Sequence, residues 1–126
     1  MIPVLVAIGG GVGAVLRYWL GSAVQGGVPG VSFPVGTLVV NVLGCFTIGV
    51  VAELAERRGY MTAEARALVV IGILGGFTTF SAFANDTVNA VRTGAAATGI
   101  LNVTASVVLC LAATWGGRVM ASLLLR

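Results

Sequence analysis

The sequence predicts an all-α membrane protein with four transmembrane helices per subunit, the third broken at mid-membrane. Three observations lead there. Hydrophobic residues make up 58% of the chain and charged residues only 9%, where a soluble domain carries about 25% charged residues. The apolar residues gather into four segments, each long enough to cross a hydrocarbon core of about 30 Å at ~1.5 Å per residue. One of those segments contains Gly75-Gly76-Phe77-Thr78-Thr79-Phe80-Ser81-Ala82-Phe83, a run of small, hydroxyl and aromatic residues that a continuous lipid-facing helix does not need. The whole of residues 1–126 reads as a single domain.

The first segment is Ile2–Val24, with Pro3 acceptable at a helix start. It lacks a basic N-terminal end and a small-residue cleavage pattern, so it is expected to be a retained helix. Residues 25–32 (QGGVPGVS) form a Gly/Pro turn. The second segment is Phe33–Ala52. A charged stretch, Glu53–Arg66, follows, with Thr62 expected as the N-cap of the next helix. The third segment is Ala67–Val91. Its parts Ala67–Gly76 and Ser81–Val91 each supply about half a crossing, which predicts two half-helices meeting at mid-depth. Thr93-Gly94 makes a tight turn, and Ala95–Leu125 holds the fourth segment. Tyr18, Trp19, Phe33, Tyr60 and Trp115 lie near segment ends, as interfacial anchors do.

Glycine is dense, with 19 in the chain. Gly9 and Gly13, and again Gly72 and Gly76, have the four-residue spacing that lets membrane helices approach closely. Cys45 and Cys110 both fall in apolar segments and read as small buried hydrophobes rather than as a disulfide framework. The net charge of +3 is too small and too scattered for a nucleic-acid partner.

Polar residues recur every fourth position on two segments. Thr98, Asn102, Ser106, Cys110 and Thr114 form one stripe, and Thr37, Asn41 and Cys45 another. At about 100° per residue such a stripe stays near one helix face. Two readings remain open: interhelical hydrogen-bonding glue, and the lining of a polar pathway. Asn41 favours the second, because an amide at mid-membrane is costly unless it bonds to something. Arg17, two-thirds along the first segment, either snorkels to the nearer interface or supplies a vestibule charge that attracts anions, and the two are compatible.

No Asp or Glu lies deep in any segment, and the chain has no histidine. Proton-coupled carriers use intramembrane acids or histidine, and cation pores commonly use acidic rings. Neutral donors with an arginine favour an anion. Phe80 and Phe83 share one face of the second half-helix. Packing is the default role for membrane phenylalanine, yet a ring has a positive edge along which a small anion can pass. The same break frees backbone carbonyls, which suit an alkali cation.

Taken together, Gly11-Val12-Gly13-Ala14-Val15-Leu16-Arg17, Gly36-Thr37-Leu38 leading to Asn41, and GGFTTFSAF at 75–83 resemble the CrcB/Fluc fluoride channels. The resemblance covers essentially the whole chain. It implies a homodimer of antiparallel subunits in the membrane, with two pores that export cytoplasmic fluoride passively. It places the protein in the bacterial inner membrane as a multi-pass protein. Phe80 and Phe83 would be the pore phenylalanines and Asn41 the pore amide. Ser81 and Thr114 would belong to a hydroxyl track, with Ser106 and Thr37 on the same anion pathway and Arg17 near a vestibule. The carbonyls of Gly75 and Thr78 from both subunits would hold a structural Na⁺. In one departure, Ala82 stands where the family pattern usually has a hydroxyl residue.

Basic residues favour an N-terminus inside, with Arg57, Arg58, Arg66, Arg118 and Arg126 on that side and Arg92 opposite. Dual insertion expects a more even balance. The main rival is a small four-helix multidrug exporter of the dual-topology type, but such carriers need a membrane-embedded glutamate in the first helix, where this chain has Arg17. A non-transporting assembly subunit would explain the glycines but not the broken helix. An enzyme is the weakest reading, with no histidine and no carboxylate pair at catalytic spacing.

Overall fold

The computed structural model describes residues 1–59 and 61–125, apart from the side chain of Arg58. The anchor expected at Tyr60, and the contributions of Arg58 and Arg126 to the basic balance, lie outside the described residues. Helix α1 is Ile2–Gly26 and α2 is Val35–Arg58. A third helical run, α3, covers residues 63–77 and is π-wound over Arg66–Leu74. Helix α4 is Phe80–Arg92 and α5 is Ala96–Leu124. The four stretches Ile2–Gly26, Val35–Arg57, Ala63–Arg92 and Ala96–Leu124 are long and apolar enough to cross a membrane. The third is a pair of half-helices.

Several boundaries move, and the third helical run opens at Ala63 rather than Ala67. Helix α2 runs through Arg58 rather than stopping at Ala52. Its charged end is held in helical form by the Glu53–Arg57 ion pair at 2.6 Å and by Arg118, which reaches Glu53 at 3.3 Å and Glu56 at 2.8 Å. Gly59 then ends it at φ 63°, a conformation open to glycine without penalty. The break in the third span is also narrower than the sequence suggests. Only Thr78 and Thr79 are extended, at φ −81°, ψ 154° and φ −148°, ψ 110°. Thr62 caps α3 as expected, accepting from the Ala65 N–H at 3.1 Å.

The paired glycines face each other. A Cβ on Gly9 would meet the Leu68 carbonyl at 2.4 Å, and one on Gly76 the Gly10 carbonyl at 2.4 Å. A Cβ on Gly13 would lie 2.1 Å from the Ile73 carbonyl. Backbone therefore rests on backbone along α1 and α3, which is what small residues at these spacings permit.

Helices α2 and α5 run parallel, with residues sixty-five positions apart brought together, as Arg118 and Glu53 are. One turn back, a Cβ on Gly49 would meet the Thr114 carbonyl at 2.2 Å, and one on Gly117 the Phe46 carbonyl at 2.2 Å. The same register sets Cys45 beside Cys110 and Asn41 beside Ser106, and these four side chains line one groove. The two stripes thus face one another. Asn102 is 2% exposed and donates to the Thr87 hydroxyl at 2.9 Å, fastening α5 to α4. That contact is the glue reading of the stripe.

Candidate functional site at the helix break

Breaking a helix inside a membrane frees backbone groups that lipid cannot satisfy. Side chains from three helices take up most of them here. Asn41 on α2 clamps Thr79 from both sides. Its Oδ1 accepts from the Thr79 N–H at 2.8 Å, and its Nδ2 donates to the Thr79 carbonyl at 3.0 Å. Arg17 on α1 donates through Nε to the Gly76 carbonyl at 3.1 Å. The Thr78 hydroxyl and N–H both donate to the Leu74 carbonyl, each at 3.0 Å. Thr79 caps α4, its hydroxyl accepting from the Ala82 N–H at 3.1 Å. Arginine and amide, singled out for anions, are first of all the supports of the break.

Two carbonyls escape this arrangement. In a continuous helix, Gly75 would accept from the Thr79 N–H and Thr78 from the Ala82 N–H. Both donors are turned elsewhere, to Asn41 and to the Thr79 hydroxyl. Among the described residues, no donor meets the Gly75 or Thr78 carbonyl oxygen. Gly75 is exposed on the chain, and both residues line the same groove.

That groove has a volume of about 550 Å³ and gathers six of the expected residues: Asn41, Gly75, Thr78, Phe80, Phe83 and Ser106. The Phe80 and Phe83 rings lie 5.2 Å apart, centroid to centroid, tilted by 46°. Phe80 is 79% exposed, so half of the aromatic pair has no cover within the chain. A second concavity, of about 580 Å³, opens on the other side of the break and holds Arg17, Thr37, Ala82 and Asp86. Thr79 lines both. Ser81 and Thr114 line neither. Ser81 is exposed beside the Thr79 hydroxyl at 3.2 Å, and Thr114 sits at the α2–α5 crossing with its hydroxyl donating to the Cys110 carbonyl at 3.1 Å.

Several expected donors are already engaged. Thr37 gives its hydroxyl hydrogen to Asp86 at 2.9 Å. Ser106 reaches Asn102 only at 3.4 Å, a weak contact, and the Asn41 amide keeps a second hydrogen. Thr79 and Asp86 join the expected residues at the site only through the structure. For Thr79 a signal existed, since a hydroxyl residue opening a helix after a break is an N-cap pattern. Asp86 sits half a helix from the span's exit by count, and only the packing of α4 against α2 shows that it faces Thr37.

Residues 4–118 match the sequence model of the family described as CrcB-like protein, Camphor Resistance (CrcB). The chain is 49% identical over 114 residues to a protein of Rhizobium etli named fluoride-specific ion channel FluC, with 90% of each chain covered. It is 47% identical over 117 residues to a protein of the same name from Solibacter usitatus, covering 93% of this chain and 95% of that one. A further relative so named, from Rhodospirillum rubrum, is 40% identical over 126 residues, covering 98% and 97%. With a half-helix pair braced by Asn41 and Arg17 and relatives matched over nearly their full length, the chain belongs to the CrcB family.

Proposed function

We infer that this chain is a fluoride-specific channel that works as an antiparallel homodimer and lets cytoplasmic fluoride leave passively through two pores. The observation that carries the reading is the groove at the break. It brings the ring pair, an amide with a spare hydrogen and a weakly engaged serine into one groove whose Phe80 side is uncovered, in a chain whose relatives are named for fluoride. A second copy related by a two-fold axis in the membrane plane would cover Phe80 and Gly75. It would also close each groove into a conduit.

Fluoride is small and strongly hydrated, so a dry path must replace water with close donors. The Asn41 second hydrogen and the Ser106 hydroxyl supply them in the groove. The positive edges of Phe80 and Phe83 guide the ion between them. Arg17 draws anions into the recess on the far side of Thr79, where Thr37 and Asp86 also sit. With no histidine in the chain and the acid nearest the break, Asp86, already held by the Thr37 hydroxyl, the chain's residues support a passive channel over the exporter reading.

The free carbonyls of Gly75 and Thr78 fit a hard monovalent cation, and the two-fold axis would add a second pair. Na⁺ bound there would supply a fixed positive charge near the anion path.

The test is efflux from proteoliposomes. Fluoride should leave quickly, chloride hardly at all, and no proton gradient should be needed. Equal rates for the two halides, or dependence on a proton gradient, would overturn the reading.

A further inference from the structure

We propose that Cys45 and Cys110 form a two-coordinate binding site for a soft, thiophilic metal ion, Hg(II) above all. Both are free thiols, half-buried, and both line the groove at the break. They sit in register on the parallel helices α2 and α5, and both face the one groove. Helix crossing fixes their separation. One turn further along, Gly49 meets the backbone of Thr114, and Gly117 meets that of Phe46, so neither helix can rotate its cysteine away without a clash.

The donor set selects the metal. Among the described residues, no cluster of three or more histidine, cysteine or carboxylate side chains surrounds the pair. Tetrahedral sites for Zn(II) are thereby excluded, as are oxygen-rich sites for hard cations. Two thiolates suit ions content with linear coordination, and soft sulfur favours soft metals. Charge then discriminates among them. As each S–H gives way to a sulfur–metal bond, one proton leaves, so a divalent ion and two thiols yield a neutral complex and two protons. A monovalent ion leaves a net negative charge in the membrane interior, which is costly. The apolar surroundings of Ile48, Val107 and Leu111 sharpen that preference.

Binding is measured on the full chain in detergent, with HgCl₂ as probe, by the ultraviolet sulfur-to-mercury charge-transfer band, proton release and thiol count. The expected result is saturation at one Hg(II) per chain, with both thiols consumed. Cys45→Ser and Cys110→Ser should each weaken binding by about 10²–10⁴-fold, because the second thiol acts at high effective concentration. Cys45→Ala and Cys110→Ala should behave alike, ruling out an effect of the serine hydroxyl. Two Hg(II) per chain, or single variants that bind as tightly as the parent, would overturn the site.

The efflux consequence rests on the channel reading and is scored separately. Micromolar Hg(II) should block flux in the parent, relative to its metal-free rate, and not in the single variants. One-to-one binding that is weakened in the single variants, in a protein with no channel activity, refutes only the function. Normal flux with no one-to-one binding refutes only the site.

Discussion

Replacing Asn41 by alanine tests the clamp on the broken helix most directly. The side chain makes two bonds to one peptide, at 2.8 Å and 3.0 Å, and both Thr79 groups would otherwise face the membrane interior. Hydrogen bonds between membrane helices average only about 0.6 kcal/mol each, which sets a floor of ~1.2 kcal/mol for the pair. Leaving a buried donor and acceptor unmet costs about 1–3 kcal/mol each, which sets a ceiling near ~6 kcal/mol. Asn41→Ala should therefore destabilise the protein by about 2–6 kcal/mol if the break is shielded from water. Asn41→Asp keeps the acceptor for the Thr79 N–H but sets a carboxylate oxygen against the Thr79 carbonyl, so it should lose roughly half the clamp and add repulsion. The assay is reversible unfolding in mild detergent, alongside fluoride efflux from proteoliposomes. Asn41→Ala with parental stability would refute the clamp, and parental flux would remove Asn41 from the pathway.

Phe80→Ile and Phe83→Ile keep most of the volume but lose the positive ring edge. Each should nearly abolish fluoride efflux while the folded protein survives on a sizing column, and parental flux in both would return the rings to packing. Gly76→Ala drives a Cβ to within 2.4 Å of the Gly10 carbonyl and should cost about 1–3 kcal/mol in unfolding experiments. A Cβ on Gly75 meets nothing closer than the Val70 carbonyl at 3.8 Å, so Gly75→Ala should leave the single chain folded and weaken only its association with a partner. Equal loss of fold in both variants would contradict this division. Ala82→Thr adds a hydroxyl in the recess beside Arg17 and Asp86 and should leave efflux unchanged or raised; a large drop would count against a hydroxyl track there. Finally, a C-terminal tag probed from each side of the membrane should report both orientations in similar amounts, and a single orientation would refute the antiparallel pair.

The sequence by itself determined the four spans, because hydrophobic length is the dominant constraint in a bilayer and acts locally along the chain. It also located the break, since two glycines, two threonines and a serine crowded into nine positions interrupt the apolar run. The facing glycines of α1 and α3 were readable from their spacing alone. Tertiary structure decided the rest. That Asn41 and Arg17 support the break depends on α1 and α2 both packing beside α3, which no spacing within one helix reveals. The register between α2 and α5 is a property of two helices together, and it turns separate polar stripes into a ladder running from Asn41 and Ser106 to Glu53 and Arg118. Gly75 and Gly76 are neighbours of the same kind in sequence. One faces Gly10 and the other is left uncovered, because a helix turns by about 100° at every residue and only packing decides which side meets a neighbour.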